Sequence, residues 1–488
     1  MTGLDRRTFL QRSGATAVGT AVLGGPFAGF LAGTAEAKRA KPDFRQLRPV
    51  PDKRDGVVRL WLPDGFRYRS FHDVTAGATL SDGTPVPPRH DGMAAFPRTG
   101  SGWDWPWGRG DHVVLVRNHE INGPGPAFGE VTRRTYDPMA LGGTTTVVVT
   151  PHGRVVHSRV SLNGTQQNCA GGPMPWGSWV TCEETVNGPD VGNDFTGGDN
   201  SLLTEKHGYI YDVPSRGRSR GRPVRSAGRF AHEAAAYDPQ GGALYLTEDN
   251  FGFPSGLYRY LPPKNPLHEG RLVDGGRLQM LEVRGERNAD LSVGQRRRAT
   301  YDVTWVDIDD PDPTFPEGTT NDEAIQAVGN QGRAQGAAIF ARLEGAVYDQ
   351  NKVYFVSTQG GEPDPADPPP PGFGDGRGQV WAYHARAEKL QLLYESPAAS
   401  VLDFPDNVTT SPRGTLVLCE DGGGDNFLRG LTRGGQIFDF ALNRIAGQED
   451  DEFAGSTFSP DGETLFVNIQ SSNAMSFAIW GPWRRTGF

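Results

Sequence analysis

Glu233-Ala234-Ala235-Ala236-Tyr237-Asp238-Pro239, followed by Ala243-Leu244-Tyr245-Leu246-Thr247-Glu248-Asp249, decides how this chain is read. An acidic residue opens a short apolar run. Turn residues break it, and a second run ends on acids. Alternating runs separated by such turns read as a β-hairpin. The same plan recurs from Cys169-Ala170-Gly171-Gly172 to Thr181-Cys182-Glu183-Glu184, and from Glu344-Gly345-Ala346-Val347-Tyr348-Asp349 to Val353-Tyr354-Phe355-Val356. It recurs again from Asp406-Asn407 to Leu416-Val417-Leu418-Cys419-Glu420-Asp421, and a last copy runs from Phe458 to Asn468. Cys169 to Glu184 spans 15 residues, Glu233 to Glu248 also 15, and Asp406 to Glu420 14.

A third strand follows each hairpin. Gly208-Tyr209-Ile210-Tyr211, Gly256-Leu257-Tyr258-Arg259, Gly378-Gln379-Val380-Trp381 and Gly435-Gln436-Ile437-Phe438 share one pattern. Self-similarity at this period marks a propeller, which closes radially and leaves only short edges. The expected fold is all-β, a six-bladed β-propeller with loop insertions. Five blades run from about residue 160 to the end. The sixth comes from the N-terminal side, with Val113-Val114-Leu115-Val116 leading into Arg117-Asn118-His119-Glu120. Glu233 and Glu344 stand 111 residues apart, against 62 from Glu344 to Asp406, so about 265–335 reads as an insert between blades, a loop or cap. The proline run Pro368-Pro369-Pro370-Pro371 marks a smaller one.

Composition agrees. The chain has 488 residues with 66 Gly and 38 Pro, which excludes a helical bundle. Aromatic residues at 10% argue for a core and against global disorder. A net charge of −9 without a basic block speaks against nucleic acid as a partner. Residues 1–37 read as an address: Arg6-Arg7 precede a weakly apolar stretch, and Ala35-Glu36-Ala37 fits a cleavage site. Glycines and Pro26 make that stretch a poor membrane span. The expectation is export by the twin-arginine machinery to the periplasm or beyond, leaving residues 38–488 as a single, monomeric propeller domain.

In a propeller, equivalent positions converge on one channel. Here Cys169, Glu233, Glu344 and Asp406 open hairpins, while Glu120, Glu184, Glu248 and Glu420 close them. So many carboxylates at one channel mouth repel unless cations neutralise them. Asn118 and Asn407 add amide oxygens, and an oxygen-rich set suits Ca²⁺ or Mg²⁺. Asp421, ahead of three glycines, reads equally as a turn residue. His119 and His232 sit beside acids and read as hydrogen-bonding neighbours. No CxxC, HExxH, P-loop or GxSxG motif competes.

At Arg117-Asn118-His119-Glu120, Asn168-Cys169-Ala170-Gly171-Gly172, Thr181-Cys182-Glu183-Glu184, His232-Glu233, Arg342-Leu343-Glu344-Gly345 and Asp406-Asn407 the sequence resembles the PhoX-type alkaline phosphatases. The resemblance covers most of the chain after residue 37. It implies a six-bladed propeller holding iron (Fe³⁺) and calcium, and hydrolysis of phosphate monoesters. It places Cys169 on iron, and Glu184, Glu233 and Glu344 among the metal carboxylates. It gives Arg342 and Asn118 to the substrate, with Arg342 and Glu344 central to catalysis. Asn118, Glu120, Asp406, Asn407, Glu420 and Asp421 would take calcium or supporting roles. The chain departs from the family at Ser161, where a phosphate-binding lysine is expected. Two other classes fit the repeats alone: a calcium-dependent lactonase-type propeller hydrolase, and a non-catalytic, metal-stabilised binding propeller.

Overall fold

The computed structural model describes residues 46–98 and 112–488; the expected export segment, residues 1–37, lies outside them. The architecture is all-β and propeller-like. The strands His90–Pro97, Asn168–Met174, His232–Tyr237, Leu343–Asp349, Pro405–Thr410 and Phe453–Phe458 each pack against the next, and the last packs against the first. They form an inner ring. Each is the first strand of an antiparallel hairpin running outward from the axis.

Close approach of the inner strands constrains their small residues. A Cβ on Gly92 would sit 2.6 Å from the Ala170 Cα, and one on Gly345 would sit 2.6 Å from the Val408 amide nitrogen. Glycine is therefore the residue that lets neighbouring strands meet there. Beyond the bulges the same strands enclose a cavity of only about 50 Å³, lined by Gly92, Ala170, Ala234 and Gly345 among others.

The ends of the chain interlock. Arg67–Phe71 pairs with Met475–Trp480, and Val58–Leu62 pairs with Ile437–Asn443. Strands from near the start thus form the outer edges of the last two sheets, tying ring closure to sequence-distant hydrogen bonds. Between the sheets, apolar side chains interdigitate. Trp381, fully buried, meets Phe340 edge-on with ring centroids 5.9 Å apart.

The stretch at about 265–335 holds regular strand as well as loop. Arg277–Val283 adds outside Leu257–Leu261, and Thr300–Asp307 pairs with both Arg277–Val283 and Lys389–Glu395. That bridge joins two neighbouring blade-like units into one nine-stranded sheet. Two helices follow, Asn321–Ile325 and Ala327–Gln335, the first closed by a Thr320/Glu323 capping box. No helix among the described residues is long and apolar enough to cross a membrane.

Candidate functional site

The inner strands share one irregularity. Their pairing register shifts between His90 and Met93, Asn168 and Gly171, His232 and Ala235, Leu343 and Ala346, and Pro405 and Val408. A bulge releases residues from the ladder and re-aims their side chains. The first residue inside each shift is Asp91, Cys169, Glu233, Glu344 and Asp406 in turn. The partner strands end opposite these bulges, and the next residues are Glu120, Glu184, Asp249, Thr358 and Asp421.

These side chains converge in three linked groups. Cys169, Glu184 and Glu233 form one, Glu233, Glu344 and Asp406 a second, and Asp406, Asp421 and Glu452 a third. Within each group the ligand atoms lie within 4.8 Å of one another. The Cys169 Sγ lies 3.2 Å from the His232 carbonyl oxygen. Asn407 steadies the shared acid: its Nδ2 donates to Asp406 Oδ1 at 2.5 Å, while its Oδ1 accepts from the Gly455 amide.

The charge balance of the site calls for cations. Burial first, and neighbouring carboxylates second, push Asp91, Glu184, Glu233, Glu344 and Glu452 well above the usual carboxylate range. Burial likewise raises Asp406 to about 6 and Asp421 to about 7. Burial, then Glu233 and Glu184, holds the Cys169 thiol far above its ordinary value. Asp91 Oδ1 and Glu452 Oε2 are buried with no hydrogen-bond partner. Unsatisfied buried oxygens facing other carboxylates are costly, and bound cations would satisfy them. The donor set fits metal: one thiolate with carboxylates in the first group, oxygens alone in the other two.

Two arginines stand at the cluster. Arg342 adopts a left-handed backbone, φ +42°. Its Nε and Nη2 donate to the Asp249 carboxylate, Nη2 at 2.8 Å, and Nη2 also reaches Glu344 Oε1 at 2.9 Å. Nη1 has no protein partner among the described residues, so one edge of the fork stays open. The exposed Phe251 ring lies 5.2 Å from the guanidinium carbon. Arg89 occupies the same place before its inner strand, with φ +49°. It binds the Glu120 carboxylate through Nε and Nη2, and Gln470 Oε1 through Nη2 at 2.7 Å.

Several expected ligands are placed elsewhere. Glu248 and Glu420 pair directly across the ladder and turn in between the sheets. Glu248 accepts from the Tyr258 hydroxyl at 2.9 Å, and Glu420 from Arg429 Nε at 2.7 Å and the Asp403 and Phe427 amides. Their neighbours Asp249 and Asp421 face the cluster instead. Side chains alternate along a strand, so one residue changes the face. Asn118 is also occupied structurally. Its Nδ2 donates to the Cys169 and Ala170 carbonyls, and its Oδ1 accepts from Trp179 and Thr181. It braces the inner strand Asn168–Met174 and its hairpin partner Ser178–Glu183 rather than offering a free ligand. His232 Nε2 is 2.9 Å from the Gly228 carbonyl, and His119 Nδ1 is 3.0 Å from that of Pro88. Ser161 is fully buried with its hydroxyl 2.8 Å from that of Thr144, so this position offers no contact to an anion at the mouth.

Asp91, Asp249, Glu452 and Arg89 were not foreseen. For Asp249 the signal was present as the second acid of Glu248-Asp249. For Arg89 and Asp91 it was the spacing Arg89-His90-Asp91, which repeats Arg342-Leu343-Glu344. Glu452 lies just before its inner strand, outside the repeat position, which Gly455 fills.

The family model for Alkaline phosphatase PhoX matches residues 45–473. Among solved structures the chain is similar to Pseudomonas fluorescens PhoX in complex with vanadate, a transition state analogue. The identity is 16%, covering 91% of this chain and 98% of that one, with a TM-score of 0.62. It is more distantly similar to a gluconolactonase from Xanthomonas campestris, at 13% identity, 90% and 99% coverage and a TM-score of 0.36. The virginiamycin B lyase from Staphylococcus aureus gives 12%, 85% and 99%, and 0.37. A comparison with curated protein sequences finds no match.

Proposed function

The chain belongs to the PhoX alkaline phosphatase family and is a phosphoric monoester hydrolase, and on that premise we propose that hydrolysis takes place at the acid cluster, with iron and calcium held there. One observation carries this reading: Glu233 belongs to two of the acid groups and Asp406 to two, so the groups form a continuous chain. Shared carboxylates are what adjacent cations need as bridges. The first group, with its thiolate, suits iron; the oxygen-only groups suit calcium. Bound cations would polarise the phosphoryl oxygens and neutralise the leaving alkoxide.

The protein's own part is positioning. Asp249 and Glu344 fix three of the five Arg342 donors and leave the Nη1 edge to receive a phosphoryl oxygen. Held this way, the guanidinium loses little freedom on binding. The net-negative protein attracts an anionic ester only where cations and arginine outweigh its carboxylates.

The closed ring of inner strands supports a count of six blades, the nine-stranded sheet being two of them joined by Thr300–Asp307. Arg6-Arg7 supports export through the twin-arginine route to the periplasm. Metal analysis of the purified protein beside a phosphomonoester assay tests the central reading. Activity that tracks iron and calcium content is expected; full activity after metal removal would overturn it.

A further inference from the structure

Arg89 heads a cavity of about 350 Å³ that opens beside the third acid group. Gln470, Ser471, Ser472, Asp450 and Asp451 line it, and Asp421 and Glu452 of the third group line it too. No apolar side chain lines it among the described residues.

The cavity is built on fixed backbone. The Arg89 amide donates to the Ser471 carbonyl at 2.9 Å, and the Arg89 carbonyl accepts from the Glu120 amide at 3.0 Å. Asn426 Nδ2 donates to the Asp450 carbonyl at 2.8 Å and Asn443 Nδ2 to that of Asp451 at 2.9 Å. Both asparagines are fully buried. They hold the acidic loop by its backbone; both carboxylates line the cavity, that of Asp451 sharing a hydrogen bond with the Ser471 side chain. As at Arg342, Nε and Nη2 of Arg89 are committed and Nη1 has no protein partner among the described residues. Glu452 Oε2 is likewise without a partner.

We infer that this cavity is the subsite for the alcohol half of the substrate, and that it selects hydroxyl-rich alcohols, such as sugar and polyol phosphates. The inference rests on the phosphatase reading and names the substrate class of the same site. The chemistry chooses the class. Ionised carboxylates only accept hydrogen bonds, and a guanidinium only donates. A hydroxyl does both, so a chain of vicinal hydroxyls can donate to Asp450 and Asp451 and accept from Arg89 Nη1. An aromatic alcohol would cover these groups and leave them unpaired. A second phosphate would meet Asp450 and Asp451 with like charge.

The test compares glucose 6-phosphate with phenyl phosphate, which share the phosphoryl group and differ in the alcohol. Ser472→Trp, which fills the cavity, should lower kcat/KM for glucose 6-phosphate at least tenfold more than for phenyl phosphate, with metal content kept. Arg89→Lys, which keeps the charge and loses the fork, should raise KM for the sugar ester selectively. Equal changes for both esters, or none, would overturn the subsite. If the wild-type protein hydrolyses neither ester, the phosphatase reading fails by itself. Calorimetric binding of glucose 6-phosphate then decides the subsite: affinity at least tenfold weaker in Ser472→Trp supports it, and equal affinity or no binding to either protein overturns it.

Discussion

His207 Nδ1 donates to the Glu183 carboxylate at 2.6 Å, with both side chains fully buried. Glu183 also accepts from the amides of Gln166, Gly208 and Tyr209. Next along the chain, Gln167 Nε2 donates to Glu184 Oε2 at 3.1 Å. The buried pair therefore anchors the loop that steadies a cluster carboxylate. Burial pulls the His207 pKa down, but Glu183 and Asp137 overcome it and lift it to about 9. A raised histidine pKa stabilises fully below the unfolded value near 6.5, and the contribution is lost as pH rises through about 9. His207→Gln should cost roughly 3–5 kcal/mol at pH 7, because it leaves a buried carboxylate unpaired. Urea unfolding at pH 7 and pH 9.5 checks this. A mutant as stable as wild type at pH 7, or the same deficit at both pH values, contradicts the ion-pair account.

Arg342 and Glu344 should separate functionally although they touch. Arg342→Ala removes the open donor edge and should reduce kcat/KM about ten- to a hundredfold, corresponding to about 1.5–3 kcal/mol for a charge-assisted bond, with metal retained. Glu344→Gln removes a member of the second acid group and should lose both metal and activity. Parallel metal analysis and phosphate-ester kinetics decide between them. Wild-type metal and rates in both variants would show that the site lies elsewhere.

Neighbouring acids should give opposite results. Asp249→Asn loosens Arg342 and should raise KM while leaving the fold intact. Glu248→Gln keeps a hydrogen-bond acceptor for Tyr258 between the sheets, so its effect should fall on stability, within about 1–2 kcal/mol, and not on KM. Kinetics and thermal melts of the two variants read this directly, and an effect on KM from Glu248→Gln alone would reverse the assigned register.

Metal removal should change the sign of the pH dependence. In the metal-free protein Asp406 and Asp421 titrate near 6 and 7 because burial favours the protonated form. The folded state then binds more protons than the unfolded one, so stability falls as pH rises from about 4 through 7. Cations reverse this by favouring the ionised carboxylates. Tm of chelator-treated protein should fall between pH 5 and pH 8, and Tm of metal-loaded protein should not. Identical slopes would count against cation binding at these acids.

The sequence by itself determined the hairpins and the propeller-like class, and its spacing singled out Cys169, Glu184, Glu233, Glu344 and Asp406 as candidates that the structure brings together, because apolar alternation, turns and fixed spacing are local properties. Tertiary structure decided the rest. Each inner-strand bulge shifts the side-chain phase by a residue, and only the paired register shows that Asp249 and Asp421 share a face with Glu184 while Glu248 and Glu420 do not. Asp91 stands 29 residues from Glu120, nearly twice the spacing of the other hairpins, so counting along the chain could not pair them. Arg89 and Glu452 meet because the last inner strand packs against the first, a contact between ends of the chain that no local pattern encodes. Ring closure also brings Asp91, Asp406 and Glu452 together, and the mutual repulsion of such buried carboxylates is what would favour a bound cation.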